Sequence, residues 1–175
     1  SERPFEPFKP MGPVKTLTFK EGEFLFKEGQ VPQGLFFIQT GAVKVLVTRS
    51  LTRGRMHSPE YVSQVAGSGD LLGYKAVLHN GVHGESAKAM QPTEVHVYPM
   101  DAVQNIMKGS QSVERMIFSQ MVHDLEIKEK NSQLHYLASV QERIAYQLLL
   151  LTNKFGLLQE DGVHLPLKLT RNELA

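Results

Sequence analysis

From Val14 to Pro99 the chain is written in short apolar runs cut by glycine, and that texture limits what it can fold into. Phe19, Gly22, Leu25, Phe26 and Gly29 make an F-x-x-G-x-x-L-F-x-x-G phrase, and Leu35–Ile38 and Gly41 follow. Val43, Val45 and Val47 then alternate with other residues. Runs this short, rich in β-branched and aromatic residues and bounded by turn formers, are strands. The glycines stand where strands end, which suits tight turns and bulges. Residues 50–59 are polar and basic and read as a long hairpin loop. Tyr61, Val65 and the segment Gly67 to Gly73 bring another strand and turn, Tyr74 to His79 one helical turn, and Ser86–Met90 and Glu94–Tyr98 two closing strands. So many short strands in succession predict a small antiparallel roll or barrel.

After Met100 the pattern changes to helix. Asp101 is the expected N-cap of a short helix ending near Gly109. The stretch 112–138 contains no Pro and no Gly, and Val113, Ile117, Met121 and Leu125 recur every four residues, predicting one long helix with an apolar seam. Lys128 to Gln133 interrupts the seam, and Leu134 and Leu137 resume it. Such a helix needs a partner helix, with a polar middle where the pairing is adjustable. Ser139 with Glu142 three residues on forms a capping box for a further helix, whose core face would be Val140, Ile144, Leu148, Leu151 and Phe155 and which Gly156 stops. Residues 165–169 read as a brief strand. Thr170 to Glu173 reads as a second capping box two residues before the end. A helix cut after one turn has no stability of its own, so the polypeptide is expected to continue past Ala175. The start at Ser1 rather than Met similarly points to residues upstream.

Composition removes several function classes. A formal net charge of +1 is not that of a strongly basic domain, so charge alone names no nucleic-acid partner. The absence of cysteine leaves no disulfide, no thiolate metal site and no cysteine-ligated iron–sulfur cluster within these residues. No apolar run reaches membrane-spanning length and the start is no signal peptide, which makes the cytoplasm the expected compartment. There is no His-x-His pair of the cupin kind, no P-loop, no G-x-S-x-G and no H-E-x-x-H, so catalysis is not expected.

The phrases and their order resemble the Crp–Fnr family of bacterial transcription regulators. They are F-x-x-G-x-x-L-F-x-x-G at 19–29, F-F-I-x-x-G-x-V-x-V at 36–45, G-D-L-L-G at 69–73, Ser86-Ala87, Glu142 to Ala145, and Leu167 to Ala175. The phrase Gly73 to Ala76 looks closer to the oxygen- and nitric-oxide-sensing branches than to the cAMP-binding one. The resemblance implies a lead-in at 1–13, a cyclic-nucleotide-binding-like β-roll sensor at 14–100, and a short helix and long dimerisation helix at 101–138. It implies the start of a winged helix-turn-helix at 139–175. It further implies a homodimer on palindromic double-stranded DNA, with RNA polymerase a further partner. Ile117, Met121, Leu125, Leu134 and Leu137 would form the dimer interface. Thr170 and Arg171 would meet backbone phosphate, a contact that positions without reading sequence.

The same resemblance places an effector pocket at Gly73, Tyr74, Glu85, Ser86, Ala87, Lys128 and Glu129. The cAMP-binding branch cradles the cyclic phosphate with a Gly-Glu pair and an Arg-Ser-Ala phrase. Here Gly73, Ser86 and Ala87 are kept, Tyr74 replaces the carboxylate, and Glu85 stands where the arginine would. Lys128 and Glu129 replace the small hydroxyl pair that meets the nucleobase. A glutamate facing a phosphate repels it, so cAMP in the usual mode is not expected. Three alternatives stay open: another anion on the Gly73 amides with Lys75 or Lys88, haem through His79, His83 or His96, or no small ligand. Against haem, a lone loop histidine is ordinarily polar surface. Lys128 and Glu129 would by themselves fix register across the two-fold axis, or hold the free dimer loosely wound until neutralised. A stand-alone sensory module without a DNA-binding half is the competing reading, and a haem-based gas sensor of the same family is a third.

Overall fold

The computed structural model of the chain describes residues 14–48, 60–79, 81–107, 111–160 and 162–170. The lead-in at 1–13, the expected loop at 50–59 and the second capping box from Arg171 onward lie outside them. The chain divides into two compact units, Ser1–Ile117 and Phe118–Ala175.

In the first unit the strands are β1 (Lys15–Phe19), β2 (Phe24–Phe26), β3 (Gly34–Thr40), β4 (Ala42–Thr48), β5 (Glu60–Gly67) and β6 (Leu71–Leu72). The short helix α1 (Tyr74–Leu78) follows, then β7 (Ser86–Ala89), β8 (Thr93–Pro99) and α2 (Met100–Met107). The strands form two four-stranded antiparallel sheets, ordered β1-β8-β3-β6 and β2-β7-β4-β5. Alternating side chains of both sheets turn inward to make one core, with Phe36, Ile38, Val95 and Val97 from the first sheet against Phe26, Val43, Val45 and Ala87 from the second. This is the antiparallel roll that the glycine-cut pattern predicts.

The other face of the first sheet is buried too. Leu35, Leu71 and Tyr98 point away from the roll core and pack with Tyr74 and Val77 of α1, Val103 of α2 and Ile117. Strand β3 therefore carries residues of two cores in strict alternation, Leu35 and Phe37 to one side and Phe36 and Ile38 to the other. That is why its sequence reads as an unbroken L-F-F-I run rather than an apolar–polar alternation. Burying an aliphatic side chain fully, as for Leu35 and Ile38, stabilises the fold by about 1.5–3 kcal/mol each before the entropy of ordering is counted.

Helix α2 begins at Met100, so Asp101 is not its cap. It lies exposed in the first turn, where a carboxylate still interacts favourably with the amide end of the helix dipole.

The long helix α3 runs Gln111–Leu137, as its freedom from Pro and Gly predicts. Its expected single stripe is not a single buried face. Ile117 is buried and Leu134 half-buried, whereas Met121, Leu125 and Leu137 are exposed in the single chain. A step of four residues overshoots a full turn by about 40°, so a stripe spaced by fours winds off the face it starts on. The sheltered positions instead alternate by four and three: Gln120, Asp124, Ile127, Asn131 and Leu134. Two are tied along the helix, since Gln120 Nε2 donates to Asp124 Oδ1 at 2.8 Å.

Helix α4 (Val140–Phe155) starts at the expected capping box. The Glu142 N–H donates to Ser139 Oγ (3.3 Å), and the Ser139 N–H (2.7 Å) and hydroxyl (2.8 Å) both donate to Glu142 Oε2, the two bonds that hold the Glu142 carboxyl below its ordinary pKa. Of the expected core face only Leu151 is buried, while Val140 and Leu148 are exposed. Gln147 Nε2 of α4 donates to Asn131 Oδ1 of α3 at 3.1 Å, so part of the polar middle of α3 serves the neighbouring helix.

The expected strand over 165–169 is absent, and those residues have no regular structure. Pro166 lacks the N–H a ladder needs. The pairing falls just upstream, in an antiparallel hairpin of β9 (Leu157–Gln159) and β10 (Gly162–His164). Among the described residues no helix is long and apolar enough to cross a membrane.

Gly41 joins β3 to β4 with φ at +103°, and a Cβ there would lie 2.7 Å from Thr93 Cα and 2.8 Å from the Pro92 carbonyl oxygen. Neither neighbour is a flexible side-chain end. Gly41→Ala should therefore lower unfolding free energy by on the order of 3 kcal/mol, read as a drop in the urea midpoint at unchanged slope.

Candidate functional site

The segment from Gly73 to Ala87 holds five of the expected effector residues, and the fold places each for a local reason. Gly73 ends β6 and opens α1 with φ at +81°, a conformation that L side chains rarely adopt. A Cβ there would stand 3.2 Å from the Gly34 carbonyl oxygen and 3.4 Å from His83 Cε1, so the glycine also permits a close approach. Tyr74 is buried in the second core with Leu35 and Val103, so its ring is a packing element of α1. Ser86 is buried and its Oγ accepts the Glu28 N–H at 2.9 Å, tying β7 to the loop after β2. Ala87 is fully buried on β7, paired with Phe26 of β2 and Val45 of β4.

Glu85 is not left facing outward as a bare carboxylate. Lys75 Nζ donates to both of its oxygens, at 3.0 and 2.9 Å, and the same ammonium stands 5.7 Å from the centroid of the Tyr74 ring. The lysine considered above as a support for a bound anion is thus occupied by an anion of the chain itself. Lys128 and Glu129, the remaining expected pocket residues, belong to the second unit, where both are exposed on α3. Thr170 is exposed and outside regular structure, and Arg171 lies outside the described residues.

The histidines differ from their expectation as polar surface in one case. His79 is exposed at the end of α1 and His96 is half-buried on β8, but His83 is only 3% exposed. Its ring stacks on Phe26 with centroids 3.9 Å apart and planes 12° from parallel. Its main chain makes two long-range bonds, the N–H to the Gln30 carbonyl (2.9 Å) and the carbonyl from the Gly29 N–H (2.7 Å). These tie residues 81–84 to the loop between β2 and β3. Among the described residues, Nε2 of this ring is buried without a hydrogen-bond partner. Burial lowers its pKa below the ordinary 6.5, outweighing the opposite pull of Glu85.

Phe26, Phe36 and His83 also line, with Leu25, Gln30, Val31 and Gln33, a cavity of about 220 Å³ under that loop. None of the expected effector residues lines it. Sequence pattern alone gives no sign of this cavity, because its walls come from segments far apart in the chain. Among the described residues no group of three or more His, Asp or Glu side chains is placed to hold a metal ion.

The model of the cyclic nucleotide-binding domain matches residues 16–110, more than half of the 175-residue chain. The chain belongs to the cyclic nucleotide-binding domain family. A CRP-like cAMP-activated global transcriptional regulator from Mycobacterium tuberculosis is 25% identical over 164 residues, covering 93% of this chain and 70% of that protein. A CRP/FNR-family transcriptional regulator from Thermus thermophilus superposes with a TM-score of 0.71 at 16% identity, over 91% of this chain and 76% of that one. The c-di-GMP responsive global regulator CLP from Xanthomonas campestris superposes with a TM-score of 0.67 at 15% identity, over 87% and 72%. The roll with long helices after it is thus the fold of Crp–Fnr regulators, as the sequence phrases imply.

The buried imidazole gives the domain a pH signature. The unfolded chain takes up a proton at His83 near pH 6.5, whereas the folded chain resists it until lower pH, so stability rises with pH across that window. The contribution is complete above about pH 6.5 and is lost as pH falls through the folded-state value. His83→Phe should therefore flatten the decline of urea-unfolding stability between pH 7 and pH 5. A wild-type and variant decline of equal slope would rule the assignment out.

Proposed function

We propose that this chain is the sensory and dimerising part of a Crp–Fnr-type transcription regulator that acts as a homodimer on palindromic DNA. In this reading residues 14–100 sense, 101–138 dimerise and 139–175 begin the DNA-binding domain. The relatives and structural neighbours compared above are transcription regulators rather than enzymes. The observation that carries the dimer is the exposed apolar side of α3. Phe118, Met121, Val122 and Leu125 are all open to solvent in the single chain, with Phe118 at 65%. Phe118, Val122 and Leu125 step by four and three, the spacing of a helix-pair seam, and Glu129, Ser132 and Tyr136 continue it. In this reading Phe118 and Val122 join Met121 and Leu125 in the seam.

Cyclic AMP in its usual mode is not the effector in this reading. Glu85 already holds a cation in a two-pronged pair, and breaking that pair to admit a phosphate would leave a carboxylate beside it. Thr170 and Arg171 remain the residues that would meet the DNA backbone. They would add salt-dependent affinity without sequence preference.

The seam is tested by Phe118→Glu with Leu125→Glu. Sedimentation equilibrium should give twice 19.7 kDa for the wild type and 19.7 kDa for the variant, with helical circular dichroism retained. A wild type that sediments as a monomer at tens of micromolar would sink the dimer. Further along the seam, Lys128→Leu with Glu129→Leu should replace a charged turn by an apolar one and tighten the helix pair. In the full-length protein that variant should bind its operator without effector in a mobility-shift assay. A continued need for effector would show that this turn only sets register.

A further inference from the structure

We propose that residues 27–33 and 81–84 form a latch, shut by the neutral imidazole of His83, that swings open when the ring takes up a proton while the two sheets stay folded. The ring is 3% exposed and lies flat on Phe26, with centroids 3.9 Å apart. The Gly73 main chain abuts it as well, since a Cβ on that glycine would stand 3.4 Å from His83 Cε1. Nε2 is shut in with no hydrogen-bond partner among the described residues. A neutral ring can stay in such a place. A protonated ring carries an N–H on both nitrogens, and the one at Nε2 is then a charged donor with no acceptor. An unpaired charged donor is among the most costly groups to bury, so protonation favours whichever conformation lets the ring out.

The way out is local. His83 lies in a stretch without regular structure, between Gly81 and Gly84, and glycine on either side permits the backbone changes that a swing requires. A Cβ on Gly84 would meet nothing within 4 Å, and Val82 is exposed, as are residues 27–31 on the facing loop. Two main-chain bonds join the segments, from the Gly29 N–H to the His83 carbonyl and from the His83 N–H to the Gln30 carbonyl. The charged groups on the surrounding elements offer the protonated ring no partner. Glu85 pulls toward protonation, but both of its oxygens accept from Lys75, and burial outweighs it. The Glu28 carboxylate accepts the Thr48 hydroxyl. Lys27, over the Phe24 ring, and Lys75 would repel a positive ring, and His79 is exposed at the end of α1. The latch does not depend on whether the chain binds DNA or an effector.

The test is native-state amide hydrogen exchange of the 175-residue protein, read by two-dimensional NMR at two pH values and in low urea. With intrinsic exchange rates divided out, the opening constants of the Gly29 and His83 amides should rise roughly tenfold from about pH 7.5 to about pH 5.5. At both pH values they should exceed those of the Ile38 and Met90 amides, which bond within the roll, by at least roughly tenfold. Sub-denaturing urea should leave them unmoved, because a local opening exposes little surface. His83→Phe keeps a flat ring but takes up no proton, so the rise should vanish. His79→Gln changes the neighbouring exposed histidine and should leave the rise in place. Gly29 and His83 amides that exchange with the urea dependence of Ile38 would overturn the proposal, since the ring would then leave only on global unfolding. So would an opening constant that does not rise on acidification, a rise that survives His83→Phe, or one lost in His79→Gln. The first two outcomes are read on the wild type alone, so a variant that fails to fold leaves the test intact.

Discussion

The structure depends on a strand that has no free side. With Phe36 and Ile38 facing the roll core and Leu35 and Phe37 facing the helical cluster, β3 is a wall shared by two cores. Interiors packed at crystal-like density do not deform smoothly, so a volume change on one side of such a wall is felt on the other. Tyr74 and Val77 of α1 lean on this strand from the helical side, and the segment that follows α1 carries Glu85, Ser86 and His83. The start of this segment, at Tyr74 and Val77, is therefore held by packing against a strand that is buried on both faces.

The electrostatics of that segment have been turned inward. A phosphate cradle needs an outward cation and spare donors, whereas here the cation at Lys75 and the anion at Glu85 satisfy each other. Pairs like this are worth little net stability when part-exposed, as the lysine is, but they do fix which charge the surface offers.

Much of the fold can be read from local pattern. The strands before Pro99 follow from short β-branched runs between glycines. The capping box at Ser139 is legible because its two bonds span only three residues. The misreadings have equally local causes. Spacing by fours made one stripe of α3 where the helix offers two faces, and Pro166 sits inside what looked like a strand. The burial of His83 could not be seen at all. Its surroundings in sequence, Gly81-Val82 and Gly84, look like a loop, and only long-range bonds to Gly29 and Gln30 carry it inside. Family resemblance pointed to the neighbouring positions 73, 74 and 85–87, and the cavity lies beside them.

The two bonds between His83 and the loop at Gly29–Gln30 involve main-chain atoms alone. Replacement of a side chain therefore removes neither. The main-chain frame of this cavity is thus independent of the side chains on its exposed rim at Val31 and Gln33. The rim of this part of the roll can therefore vary one residue at a time without loosening the loop.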